Sequence, residues 1–405
     1  MYSLLLSLTA PILSLGLFVL SSSFFTTFMS VKLNHLGFDE TIIGIIHSMF
    51  YIGYLLGSAY IEAFIRRIGH IRAFAAFGSL STSVLMIQGI SQHYLTWMIT
   101  RLFAGFSMSA LYIVIESWLL AKSTIEIRGR LLAFYMFSLY FAQSLSQLLM
   151  NYVNTRDFSA FFIAAFLASI SIIPLSMTKK VSPEIKEPKV KNIFKTFFIS
   201  PLGSFGCLLA GIMLSCIYSF TPLFALFRNV NIAWIMFSTI FGGFIFQWPV
   251  GKLSDIFDRR KVLIFINIFS TFPCIFLCFI ENEVFILSAS LLLGGCLFTI
   301  YPLSINQVCD RIESEDICKV VGLLSLIFGV GAVIGPLLVP SFISLMGYPS
   351  MYLFILLANA ILLSMGIYSL RVRTPIPLDQ QGAHVKIPPR STPLLGNFMD
   401  EETKN

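Results

Sequence analysis

Long apolar runs, each broken by only a few polar residues, recur along this chain almost from one end to the other. They occupy 8–31, 41–64, 71–91, 95–120, 130–150 and 158–178, then 199–227, 231–251, 261–280, 284–307, 320–343 and 351–370. A helix rising 1.5 Å per residue needs about 20 mostly apolar residues to cross a hydrocarbon core of about 30 Å. Each run is long enough. The pattern predicts an all-α integral membrane protein with twelve transmembrane helices in two six-helix bundles. A polar stretch, TKKVSPEIKEPKVK, separates the sixth run from the seventh, and a tail rich in proline follows the twelfth. The expected organisation is an N-terminal bundle over 1–178, a cytoplasmic linker over 179–198, a C-terminal bundle over 199–370 and a disordered cytoplasmic tail over 371–405.

Composition agrees. Of 405 residues, 57% are hydrophobic and 12% charged, against about a quarter charged in a soluble domain. Too few charges remain to coat a water-facing surface. The net charge of +7 does not point to nucleic acid, because the basic residues sit in short loops with no basic stripe among aromatics. They read as a topology signal. With both termini placed in the cytoplasm, 23 of the 27 Lys and Arg residues fall on the inner side, Lys32, Arg156 and Arg228 on the outer side, and Arg101 alone within a span. Trp97 and Trp118 bracket the fourth run and Trp234 and Trp248 the eighth, which suggests interfacial aromatic belts. The first run lacks a basic leader and a cleavage site, so it reads as a retained helix. All seven cysteines lie in the second half, mostly within apolar runs, and suit packing better than disulfides or a metal site.

The two halves repeat. A shift of 189 residues carries Gly53 onto Gly242, Gly105 onto Gly294 and Tyr112 onto Tyr301, and carries the loop IRRIGHIR (65–72) onto SDIFDRRK (254–261). Many transporters carry internal symmetry of this kind.

The second of those loops, Gly251-Lys252-Leu253-Ser254-Asp255-Ile256-Phe257-Asp258-Arg259-Arg260-Lys261, resembles the loop signature G-x-L-x-D-x-x-G-R-[RK] of the major facilitator superfamily. Asp258 stands where that signature has glycine. In the first-half copy, Arg66 stands where an aspartate is usual. Arg101 and Gly105 resemble the family's R-x-x-x-G motif. The stretches 101–120 and 247–261, with Tyr301-Pro302, are similar to the YcaD-type subfamily. The resemblance covers the apolar runs and leaves out the tail. It implies a transporter working by alternating access and supplies no substrate.

Three residues are candidates for coupling: Arg101, Glu116 and His47. A central arginine costs about 2.5–3.5 kcal/mol on insertion scales, and the resemblance links its position to proton coupling; snorkelling to the interface is the alternative. Glu116 lies fifteen residues later, about 22 Å along the same helix, so the two do not pair directly. Its apolar neighbours favour a proton-binding carboxylate, and a structural acceptor is the alternative. His47 could carry a proton near neutral pH or serve in packing. Glu62 and Arg66, four apart near a helix end, read as a local pair. Gly331-Ala332-Val333-Ile334-Gly335-Pro336 resembles a motif associated with antiporters, although the family's diagnostic copy is on the fifth span; its physical content is close helix approach and a bend.

The resemblance implies a central cavity lined by the first, fourth, seventh and tenth spans. Ser22, Tyr112, Tyr218, Tyr301, Asn306 and Gln307 are its candidate contacts, and helix–helix hydrogen bonding is the alternative for each. It also implies facing cytoplasmic loops with opposite charges. Arg66, Arg67 and Arg72 would face Asp310, Glu313, Glu315 and Asp316, while Asp255 would face Lys122, Arg128 and Arg130, giving a cytoplasmic gate.

The sequence has no phosphate-binding G-x-x-x-x-G-K-[ST] loop, no clustered His, Asp or Glu for an enzyme's active site, and no sign of a cofactor or metal site. The expectation is a monomeric, proton-coupled transporter of a small solute in the bacterial inner membrane, with lipid, solute and protons as its partners. A facilitated uniporter and a membrane sensor that keeps the fold are the competing readings.

Overall fold

The computed structural model describes residues 2–122, 125–178, 200–312 and 317–372. Among them all regular structure is helical. The first unit, Met1–Pro188, holds α1 (Tyr2–His35), α2 (Glu40–Ile68), α3 (His70–Ile90), α4 (Tyr94–Lys122), α5 (Ile125–Gln147), α6 (Ser159–Ile170) and α7 (Ile172–Ser176). The second, Lys189–Asn405, holds α8 (Pro201–Phe227), α9 (Ile232–Ile256), α10 (Arg259–Phe279), α11 (Glu283–Cys309), α12 (Ile317–Met346) and α13 (Ser350–Val372). Helices α6 and α7 form one apolar stretch, broken at Ser171 because Pro174 has no N–H for the carbonyl one turn back. Counting that stretch once, eleven helices among the described residues are long and apolar enough to cross a membrane. Helix α5 is not among them.

Both units are packed to one plan. In the first, α2 makes its most extensive contact with α4, α3 packs on α4 and α6, and α1 packs on α5 and α6. In the second, α9 takes α11, α10 takes α11 and α13, and α8 takes α12 and α13. Glycine sets the tightest of these contacts. A Cβ on Gly53 would collide with the carbonyl of Leu102, and one on Gly105 with the carbonyl of Phe50. In the second unit the same clashes fall between Gly242 and Leu291 and between Gly294 and Thr239. All four partners obey the 189-residue shift. The repeat seen in the sequence is thus a repeat of backbone-to-backbone contact, the close approach that small residues permit in membranes.

The pairing of first and fifth helices differs between units. Gly211 and Gly331 bring α8 and α12 together, each against the other helix's backbone, and Gly335 packs on Ser215 and Ile212. The G-x-x-x-G-P stretch therefore does what its small residues suggested. Ser22 and Ala142 hold the equivalent positions on α1 and α5. There the join is polar: Thr27 Oγ1 donates to Gln147 Oε1 at 2.6 Å, and Gln147 Nε2 donates to Ser23 Oγ at 2.9 Å.

Asp258, the departure from the loop signature, has a local explanation. The equivalent Gly69 sits at φ +86°, in the region that favours glycine, whereas Asp258 sits at φ −51° and caps α10 by accepting from the Arg260 N–H at 2.9 Å. With φ negative, glycine is not required.

The tryptophan belt needs correcting. Trp97 and Trp118 are buried, Trp97 donating its indole N–H to the Ser91 carbonyl at 2.7 Å and Trp118 meeting His70 edge-to-face. They pack inside the first unit and do not face lipid. Trp234 and Trp248 are exposed, with Lys252 Nζ 4.4 Å from the Trp248 ring centroid. Periodicity alone could not separate these pairs, because all four stand near helix ends. The six described cysteines are free thiols, five of them buried, as the packing reading expects.

Candidate functional site

Helix α4 carries the two costliest side chains of the first unit. Arg101 is 3% exposed, and its guanidinium carbon lies 4.3 Å from the centroid of the Phe50 ring on α2. That cation–π geometry offsets part of the desolvation cost. A side chain so enclosed does not snorkel. Arg101 borders a cavity of about 20 Å³ among α1, α2, α3 and α4, which also takes in Ser22 and Gln88. Glu116, nearer the other end of α4, is 0% exposed. Tyr135 on α5 donates its hydroxyl to Glu116 Oε1 at 3.0 Å. Next to it, Ser117 and His70 share a hydrogen bond of 2.7 Å. The structure thus gives each of these two charges its own setting, an aromatic face for one and a tyrosine hydroxyl for the other.

His47 is buried on α2, with Nε2 2.9 Å from Ser30 Oγ on α1. Tyr112, one turn before Glu116, is buried. In the second unit, Tyr218 meets Phe298 edge-on with ring centroids 5.9 Å apart, and the Tyr301 hydroxyl lies 2.9 Å from Ser325 Oγ. Asn306 donates to the Pro302 carbonyl of its own helix at 2.7 Å, and Gln307 Oε1 accepts from Ser200 at 2.7 Å. Tyr218, Tyr301, Asn306 and Gln307 thus each have a partner within the second unit.

The loop charges divide. Arg66, Arg67 and Arg72 are exposed. Asp310, expected to face them, accepts from Arg259 Nη1 at 2.6 Å, and both side chains are almost fully buried. Arg259 also donates to the Asn306 carbonyl at 3.0 Å and lies 4.0 Å from Asp255. Arg260 pairs with Asp258 at 2.6 Å. Glu313, Glu315 and Asp316, and the side chains of Lys122, Arg128 and Arg130, lie outside the described residues. In the sequence Arg259 and Arg260 stand in the loop signature and among the topology charges, with no partner assigned to either. The 51 residues separating Arg259 from Asp310 leave no local mark of their pairing.

The comparison with known families turns on how much of the chain is matched. The Major Facilitator Superfamily profile aligns to residues 12–233 and again to 204–398. The chain belongs to the Major Facilitator Superfamily. It is 27% identical over 353 residues to the MFS-type transporter YcaD of Escherichia fergusonii, covering 85% of this chain and 90% of YcaD. YcaD of Salmonella enteritidis is 27% identical over 327 residues, 78% of this chain and 83% of that protein. Among solved structures, the nucleoside transporter NupG superposes with a TM-score of 0.75 at 14% identity, over 90% of this chain and 99% of NupG. A bacterial homologue of the human lysosomal transporter Spinster, inward-facing and occupied, gives 0.75 at 13% identity, over 93% and 97%. These two show a shared fold. As a member of the superfamily, the chain is a multi-pass inner-membrane transporter and not an enzyme.

Proposed function

We propose that this transporter is a proton-coupled secondary carrier of a small solute, with twelve spans in two six-helix bundles, alternating access and both termini in the cytoplasm. One observation carries the reading. A guanidinium and a carboxylate are fully enclosed on one helix of a transporter fold, each with a designated neighbour. Enclosed ionisable groups in a membrane are costly and are the usual elements of proton relays. On this reading Glu116 takes up and releases the proton, Arg101 sets the field in the outer half of the same helix, and Tyr135 holds the carboxylate in place. Helix α5 is the twelfth span, its share of polar residues reflecting what it hydrogen-bonds to inside the bundle.

The experiment is uptake into proteoliposomes with and without a pH gradient. Glu116→Gln is expected to keep solute exchange and lose the pH dependence of net uptake, and Arg101→Ala to lose gradient-driven accumulation while staying folded. Equilibration that ignores the gradient in the unmutated protein would mean a uniporter, and the absence of any flux a sensor.

A further inference from the structure

Pro302 stands inside α11, and a proline has no N–H for the carbonyl one turn back, here that of Phe298. A buried carbonyl left without a donor is costly. Gln247 on α9 supplies one: its amide nitrogen donates to the Phe298 carbonyl at 3.1 Å, and both groups are buried. The same turn carries a second perturbation. The Thr299 hydroxyl donates back to the Cys296 carbonyl at 2.7 Å, a bond that tends to bend helices. The other repeat has none of this. The 189-residue shift carries Pro302 onto Ile113, Thr299 onto Ala110 and Gln247 onto Ser58, and α4 contains no proline. The Ser58 hydroxyl donates to the Leu55 carbonyl of its own helix at 2.8 Å.

Beyond the proline, residues 303–309 are tied to the neighbouring helices. Arg259, at the start of α10, donates to the Asn306 carbonyl at 3.0 Å and pairs with Asp310 at 2.6 Å. Ser200, just before α8, donates to Gln307 at 2.7 Å. The first repeat keeps a neutral version of this tie, because the shift carries Arg259 onto His70 and Asn306 onto Ser117, which share a hydrogen bond of 2.7 Å. One repeat therefore ties a helix without proline, and the other ties a short segment on the far side of one. Tyr301, a candidate solute contact, directly precedes that proline.

We propose that Pro302 is a pivot in α11 and that Gln247 is its positioning residue. By holding the carbonyl that the proline frees, Gln247 sets the angle at which 303–309 leave 283–301. The segment turns at Pro302 and carries the starts of α8 and α10 with it through Ser200 and Arg259. A solute touching Tyr301 acts on the residue next to the pivot. The pivot needs neither solute nor proton, so a failed pH-gradient assay leaves it standing, and its own failure leaves the coupling reading standing.

Two native cysteines on α11 report the motion: Cys296 lies before the proline and Cys309 after it, both buried. The test is pulse labelling of the purified full-length protein with N-ethylmaleimide, read at each cysteine by peptide mass spectrometry. Pro302→Ala restores the helix N–H and is expected to slow labelling at Cys309 while leaving Cys296 unchanged. Gln247→Leu removes the donor at similar volume and is expected to speed labelling at Cys309 about tenfold, the worth of one buried hydrogen bond. Combined with Pro302→Ala, it should have little effect, because the helix itself then satisfies the Phe298 carbonyl. Unchanged labelling of Cys309 in Pro302→Ala, the outcome for a static kink, overturns the proposal. So does a Gln247→Leu effect that is equal with and without the proline. A rise at Cys296 matching that at Cys309, and not reversed by Pro302→Ala, marks general loosening and overturns it as well.

Discussion

Asp258 shows how one side chain can replace a conserved-looking glycine and add a titrating group. Burial alone would push its carboxyl up, but hydrogen bonds from the Arg260 side chain and backbone, with the Arg260 and Lys261 charges, hold it below the usual carboxylate range. A carboxyl with a lowered folded value contributes stability above its ordinary pKa of about 3.9, and that contribution is lost as the pH falls through the lower folded value. The unfolding midpoint of Asp258→Asn should therefore lie below that of the unmutated protein at pH 7, and the gap should narrow as the pH drops below about 4. A gap independent of pH would assign the whole effect to the α10 cap. The neighbouring Arg259–Asp310 pair shows the limit of reading residues singly. From the sequence, Arg259 is one more inner-loop cation and Asp310 one more loop acid. Only the folded chain brings them to 2.6 Å.

Between elements, glycine placement decides how closely two helices can run. Gly53→Ala and Gly242→Ala each put a methyl group against a backbone carbonyl, of Leu102 and of Leu291, that cannot rotate away. Each is expected to destabilise by about 1–3 kcal/mol, the usual range for overpacking, and by similar amounts because the contacts are equivalent. Gly16 is the control: a Cβ there meets nothing within 4 Å, so Gly16→Ala should be neutral or stabilising by up to about 1 kcal/mol through helix propensity. Reversible unfolding in mixed detergent micelles measures all three. The repeat behind these contacts was legible in the sequence, because two glycine pairs on different helices shared one offset with a third matched pair, but the contacts themselves were not. Nor was Gln88. It is a single polar residue in an apolar run, with no periodic partner and no motif, and its place on a cavity wall appears only when α1, α3 and α4 close around it. The burial of Trp97 and Trp118 was hidden for a related reason: an indole at a helix end faces lipid or protein according to the neighbouring helices, which no local pattern records.

At the scale of the whole molecule, the strongest signal is the distribution of charge across the spans, and the proposed topology uses it to assign each loop to one side. Placing both termini inside leaves Lys32, Arg156 and Arg228 as the only outward Lys and Arg residues in the loop assignment, against 23 inward. The rule depends on Lys and Arg in short loops near span ends, with acidic residues contributing little, so the pairing of Arg228 with Glu281 at 3.2 Å does not alter the count. Contacts within the first unit agree on which ends belong together. Lys32 Nζ donates to the Arg156 carbonyl at 2.9 Å, and Thr155 lies 3.2 Å from His35, so the end of α1 and the segment before α6 share one face. Gly69, between α2 and α3, belongs to the opposite one, a span's length away along α2. Alkaline phosphatase, which is active only outside the cytoplasm, reports the side directly. Fusions ending at Gly37, Gln92 or Glu281 are expected to be active, and fusions ending at Gly69, Phe257 or Arg373 inactive. Activity at Gly69 and Phe257 with none at Gly37 would invert the topology and move the carboxylate of Glu116 to the outer half of its helix. Activity at both Gly37 and Gly69 would instead remove α2 from the set of spans. The fusion at Glu281 tests the second unit independently, since α8, α9 and α10 must all insert before it can reach the outer face.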